Sequence, residues 1–171
     1  QGVYHETMNL AAVWKLPILF FLENTMYGMC SSIERVRAGG FDYFPGTATY
    51  GILAADVDGM DVMAVKEATE LAVGRIRNGE GPQFIEAKTF RFVGHSVADG
   101  QKYRGQEEIK EWEERDPVVT FPAQLIERSL VTADQIDEIK AEVNEAVAKA
   151  VEFAEQSPEP ELSEIHNDVL A

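Results

Sequence analysis

Cysteine is almost absent from this sequence. Cys30 is the only one, so no disulfide can form within it, and the class of small secreted domains stapled by disulfides is excluded. Basic residues are scarce as well. Fifteen Lys and Arg stand against thirty Asp and Glu, for a formal net charge of −15. Phosphate recognition needs clustered cations that displace counterions, so nucleic acid is excluded as a partner. Long apolar runs are missing too. The longest, Leu16 to Leu22, is interrupted by Pro17 and falls far short of the roughly 20 residues a membrane-spanning helix requires, so no membrane partner is expected. A reducing cytosol or an organelle matrix fits this composition.

Hydrophobic residues make up 45% of the 171, enough to bury a substantial core in one domain. Val3, Met8, Leu10, Ala11 and Trp14 recur at helical spacing and predict a helix over 3–14, ended by Pro17. The continuous apolar run Ile18–Leu22 predicts a strand covered on both faces, as in a parallel sheet. Residues 23–47 read mostly as loop, with one short helix near 31–37. A second short helix is expected over 49–55, leading into a strand near 55–57 that Asp58-Gly59 ends. Asp61 is a suitable N-cap for a helix reaching Arg77 and closed by Asn78-Gly79.

Residues 84–89 read as the next strand and 91–105 as a polar loop. A short acidic helix over 106–115 stops at Asp116-Pro117. Thr132 with Gln135 matches a capping box and opens a long helix to about Glu155, with a tail after Pro158-Glu159-Pro160. Strands alternating with helices predict an α/β fold with a mainly parallel sheet flanked by helices. In such sheets ligands bind beyond the carboxyl ends of the strands, where residues 23–28 and 91–96 fall. Polar loops there can present carbonyls and hydroxyls to a hard cation or a phosphate.

The blocks in and around those loops resemble one family. Asn9-Leu10-Ala11-Ala12-Val13-Trp14-Lys15-Leu16-Pro17, Glu23-Asn24-Thr25-Met26-Tyr27-Gly28-Met29, Ser32-Ile33-Glu34-Arg35 and Val57-Asp58-Gly59-Met60-Asp61 are similar to alpha subunits of thiamine-diphosphate-dependent 2-oxoacid dehydrogenases. Gly79-Glu80-Gly81-Pro82, Thr89-Phe90-Arg91-Phe92, Gly94-His95-Ser96, Asp99 and Tyr103-Arg104 continue the series in order, and Ser157-Pro158-Glu159-Pro160 resembles the ending of bacterial-type pyruvate dehydrogenase alpha chains. The resemblance runs along essentially the whole sequence. It implies the C-terminal portion of a single thiamine-diphosphate-binding α/β domain over 1–171, incomplete at its N-terminus, with 131–171 forming a long helix plus tail.

The resemblance also implies an activity: oxidative decarboxylation of a 2-oxoacid, pyruvate first, with acyl transfer to lipoamide. Acetoin and branched-chain 2-oxoacid dehydrogenase alpha subunits are alternatives, and a non-catalytic association fragment is a further one. The expected cofactors are thiamine diphosphate and Mg²⁺, both needing the N-terminal half and a beta subunit. The expected partners are that beta subunit and a lipoyl-bearing acyltransferase, within an oligomer.

Residue by residue, His95 matches the histidine beside cofactor and substrate, Tyr27 and Gly28 match cofactor-binding positions, and Thr25 and Tyr27 match metal positions, Tyr27 through its backbone carbonyl. Ser96 matches a position phosphorylated in mitochondrial relatives, and Arg91 and Arg104 match arginines of the same loop region, where ordering the loop is the expected role and surface ion pairing the alternative. Two departures stand out. Thr25 occupies the place of the second Asn in the family's Glu-Asn-Asn run, and the family's Gly-Asp-Gly metal element would precede Gln1. His5, Cys30 and His166 lack metal-ligand spacing.

Overall fold

A computed structural model of the protein describes residues 2–39 and 42–167. Gln1, positions 40 and 41 of the predicted loop and the end of the predicted tail lie outside the described residues. The chain divides into two compact units, Gln1–Phe121 and Pro122–Ala171.

The first unit opens with α1 (Gly2–Val13), which ends where Lys15 turns into the left-handed region ahead of Pro17. The strand β1 (Leu19–Asn24) follows at the expected place. The stretch expected to be mostly loop instead holds a small antiparallel hairpin, β2 (Tyr27–Gly28) with β3 (Ser31–Ser32), before the single turn α2 (Ile33–Val36). A 3-10 helix over Phe44–Tyr50 lies a few residues ahead of the predicted helix, because β4 (Leu53–Asp58) already occupies most of 49–55.

Asp61 caps α3 (Val62–Arg77) as predicted, its carboxylate accepting from the amides of Met63 and Ala64. Then come β5 (Gln83–Lys88), the polar loop and α4 (Gln106–Glu113). The helix α5 (Pro117–Glu127), across which the two units meet in sequence, has no counterpart in the pattern reading. Pro117 suits a first helical turn, but Pro122 inside the helix reads as a breaker.

The three-stranded sheet has the order β1-β5-β4 and every pairing is parallel. Central β5 is buried from Gln83 to Ala87 because both its edges are paired and both its faces covered. On one face Met8 of α1, Ile52 and Phe84 form a cluster joined by Tyr4, Phe20, Phe44 and Tyr50. On the other, Val57, Ile85 and Ala87 pack with Ala72 of α3, flanked by Leu19, Val65 and Ala68. Alternate residues of β5 therefore point into two different cores, which explains the continuous burial from Gln83 to Ala87.

The parallel setting of β1 is as expected, but full cover on both faces is not seen. Phe21 is 41% exposed, since β1 is an edge strand of the described sheet. In the second unit, the predicted capping box closes on α6 (Ala133–Gln156): Gln135 N donates to Thr132 Oγ1 and Thr132 N to Gln135 Oε1. A 3-10 turn over Leu162–His166 follows. Among the described residues no helix is long and apolar enough to cross a membrane.

Gly59 shows how tightly the sheet end is built. A Cβ there would lie 2.3 Å from Thr89 Cγ2 and 2.8 Å from the Lys88 carbonyl, to which the Gly59 amide donates. Gly59→Ala is expected to lower stability by about 1–3 kcal/mol through overpacking, read as a shift in the urea unfolding midpoint.

Candidate functional site

Asn24 ends β1 with its side chain buried, and that side chain shapes the loop. Its Oδ1 accepts from the amide of Met26 at 3.0 Å, a local turn that competes with continued strand and carries Met26 into the left-handed region. Its Nδ2 donates to Glu86 Oε1 at 2.7 Å, tying the turn to the central strand. The turn brings the Thr25 hydroxyl to 3.4 Å from the Tyr27 carbonyl, to which it donates.

Two hard oxygens so close suit one edge of an octahedral cation site, where bonds of about 2.1 Å put neighbouring oxygens about 3 Å apart. The remaining ligands would have to come from elsewhere: among the described residues no group of three or more His, Cys, Asp or Glu could hold a metal. At Gly28 a Cβ would meet nothing within 4 Å, so bare backbone faces open space and a ligand can approach it.

The Tyr27 side chain faces the other loop. Its hydroxyl donates to Glu108 of α4 at 2.9 Å, and its ring lies 6.1 Å from Phe90, edge-on, and 5.7 Å from Tyr103. Burial, then the bond to the Glu108 carboxylate, pushes the Tyr27 phenol up to about 12, so it stays neutral.

The loop after β5 has no regular structure and is held by two side chains. Arg104, 7% exposed, donates to the carbonyls of Arg91, Phe92 and Val93 at 2.6, 3.1 and 2.9 Å, and lies over the Phe90 ring at 4.8 Å. Gln101 Oε1 accepts from the same guanidinium. Asp99 accepts from the amides of His95 (2.7 Å) and Gln101 (2.9 Å) and from the Tyr103 hydroxyl (2.7 Å). Those bonds, led by the one from His95, hold the Asp99 carboxyl down to about 2. Gly94 is required here, since a Cβ would come within 2.8 Å of Asp99 Cβ and its carbonyl.

Arg91 joins the two loops. It approaches His95 Nδ1 at 3.3 Å and donates to the Met29 carbonyl of the hairpin turn at 3.5 Å. A guanidinium can only donate, so in this contact Nδ1 is the acceptor. His95 and Ser96 are exposed and line a hollow of about 590 Å³ with Met29, Cys30, Asp99 and Tyr103. Thr25, Tyr27 and Gly28 line a neighbouring hollow of about 190 Å³ with Asn24. The hairpin contributes to both. The residues singled out in the sequence thus fall into two groups, Thr25-Tyr27-Gly28 and His95-Ser96-Arg91, bridged by Arg91 to Met29 and by Tyr103 between Tyr27 and Asp99.

Pattern reading missed Asn24, Glu86 and Glu108 as parts of this arrangement. Only Glu86 carried a signal, a carboxylate inside the otherwise apolar strand sequence Phe84-Ile85-Glu86-Ala87.

A parallel α/β sheet with two polar loops meeting beyond the carboxyl ends of neighbouring strands has the arrangement in which open α/β sheets commonly take ligands. The family described as Dehydrogenase E1 component matches residues 1–163, and the chain belongs to that family. It is similar to the pyruvate dehydrogenase E1 component subunit alpha of Rhizobium meliloti (strain 1021), 40% identical over 99% of this chain and 49% of the relative. It is 41% identical to the testis-specific mitochondrial form of that subunit from Homo sapiens, over all of this chain and 44% of the relative. The subunit from Porphyra purpurea is 36% identical over all of this chain and 49% of its own length. The chain therefore spans about half the length of the curated relatives it matches.

Asp99 makes the loop's order depend on acid. Its folded value is depressed, so its contribution is complete above the ordinary carboxyl value of 3.8 and is lost as pH falls towards about 2. In an NMR titration the Asp99 carboxyl is expected to show a midpoint near 2, with the His95 amide shifting in step. Asp99→Asn should abolish the transition and raise amide exchange across 94–103 with little effect on the sheet. Loop exchange unchanged in that variant would refute the assignment.

Proposed function

We propose that this chain is part of the alpha subunit of a 2-oxoacid dehydrogenase acting on pyruvate, in the oxidative decarboxylation that passes an acyl group to lipoamide. The observation that carries the reading is the likeness to pyruvate dehydrogenase alpha subunits, at about 40% identity, which extends over 99% of the chain and so through both converging loops. On this reading the described residues form part of one thiamine-diphosphate-binding domain. The beta subunit and a lipoyl-bearing acyltransferase are its partners, in a bacterial cytoplasm or an organelle matrix. The apolar stripe along α6, with Ile139, Val143, Val147 and Val151 all exposed, suits burial in such an assembly.

Thiamine diphosphate, when bound, supplies the electron sink for decarboxylation, and the protein supplies binding, orientation and electrostatics. In this chain Thr25 Oγ1 and the Tyr27 carbonyl would hold the Mg²⁺ that neutralises the diphosphate. The bare backbone at Gly28 would leave room for the cofactor. The Thr hydroxyl replaces an amide oxygen of the family pattern with another hard donor. His95, its Nδ1 engaged by Arg91, offers Nε2–H to an oxygen of substrate or product. Asp99 and Arg104 keep the loop in the shape that aims His95.

The test is reconstitution of the complete alpha subunit with its beta subunit, thiamine diphosphate, Mg²⁺ and lipoamide. Pyruvate is expected to be turned over in preference to branched-chain 2-oxoacids and acetoin; the opposite preference would replace the substrate assignment. His95→Ala should lower kcat by about 10²–10⁴-fold while the affinity for thiamine diphosphate stays close to that of the unsubstituted protein. Tight assembly with the beta subunit but no turnover of any 2-oxoacid would favour a purely associative role instead.

A further inference from the structure

Glu86 sits in the middle of the central strand and is 0% exposed. A carboxylate is tolerated in such a place only if donors meet its oxygens. Here Oε2 accepts from the amides of Tyr43 (2.6 Å) and Phe44 (2.8 Å), and Oε1 accepts from Asn24 Nδ2 (2.7 Å). An apolar side chain would fill the same space without that demand, so the reason for the carboxylate lies in what it holds.

An Asn side chain has one accepting end and one donating end. Both Glu86 oxygens are engaged as acceptors, so Asn24 turns its NH₂ towards Oε1, and its own Oδ1 is left facing Met26 N at 3.0 Å. That last bond shapes the turn in which Thr25 Oγ1 and the Tyr27 carbonyl come within 3.4 Å of each other. The chain of bonds therefore runs from the start of the 3-10 helix, through the core, to the two oxygen donors.

We infer that Glu86 is a positioning residue for the metal-bearing turn: by orienting the Asn24 amide, it sets the backbone that presents Thr25 and Tyr27 to a hard cation. This rests on the cofactor reading above and adds a buried residue that touches neither cation nor cofactor. The hydrogen-bond logic predicts a specific pattern of loss and rescue. In Glu86→Gln the oxygen must stay with the Tyr43 and Phe44 amides, so its NH₂ faces Asn24. Asn24 then flips to accept, its own NH₂ meets Met26 N, and the turn loses its bond. In the double variant Asn24→Asp/Glu86→Gln the glutamine donates to one aspartate oxygen while the other accepts from Met26 N. The bond between the two side chains and the bond to Met26 N are both restored.

The test measures Mn²⁺, which shares the octahedral oxygen preference of Mg²⁺, by the EPR signal of the free ion. It uses the full-length protein assembled with its partner subunit in the presence of thiamine diphosphate, with thermal unfolding followed in parallel. Glu86→Gln should weaken Mn²⁺ binding by about 10–100-fold, as loss of a residue supporting a metal ligand does, and the double variant should recover native affinity. Unchanged affinity in Glu86→Gln, with only a lower unfolding temperature, would overturn the positioning role and leave the cofactor reading standing. If Glu86→Gln fails to assemble, the double variant decides: native Mn²⁺ affinity supports the proposal, and a weak site or failure to fold overturns it. Absence of Mn²⁺ binding in the unsubstituted assembly would remove the cofactor reading and this proposal with it.

Discussion

The arrangement depends on one pairing. β1 lies beside β5 in parallel, in register from Leu19 opposite Gln83 to Asn24 opposite Lys88. Parallel neighbours end at the same edge of a sheet, so two loops far apart in sequence start one strand spacing apart, about 4.8 Å. The ladder continues into the loop bases, where Thr89 N donates to the Asn24 carbonyl at 2.9 Å. The Asn24–Glu86 bond, the approach of Tyr27 to Phe90 and the reach of Arg91 to Met29 all presuppose that register. A slip of one residue would turn Glu86 to the opposite face, towards α3 and away from Asn24.

Beyond the sheet, the loop after β5 substitutes side-chain hydrogen bonds for secondary structure. Backbone carbonyls that no ladder satisfies are gathered by Arg104, and backbone amides by Asp99, which meets the general requirement that main-chain polar groups find partners. The stacking of Phe90 on Trp112, 5.3 Å apart and nearly coplanar, and the ion pair of Arg115 with Asp58 fasten α4 and its exit to the same sheet end. Functional groups carried on loops need such a scaffold to hold a fixed geometry.

Elements whose signal is local were legible from residues alone. The apolar run of β1, the Asp61 cap of α3 and the Thr132–Gln135 box of α6 each express a short-range rule, and each was found within a residue or two of its place. The hairpin of β2 and β3 was not, because two-residue strands leave no alternating pattern and Met26 and Met29 take positive φ without being Gly or Asn. Pro122 concealed α5 for the opposite reason, a strong local breaker overridden by its surroundings. The cover expected over β1 is incomplete in the described residues because strand composition reports a need for burial and not which segment supplies it.

The candidate site divides in the same way. Which residues could matter, Thr25, Tyr27, Gly28 and His95 above all, was readable from their order along the chain and their likeness to a family, since such motifs are contiguous. That Asn24 leans on Glu86, that Tyr27 donates to Glu108, and that His95 is held by Arg91 and Asp99 were decided only by the tertiary structure. These bonds join residues brought together by strand pairing and helix packing. Hydrogen bonds require atoms within about 3 Å, and no one-dimensional spacing specifies that distance across a fold.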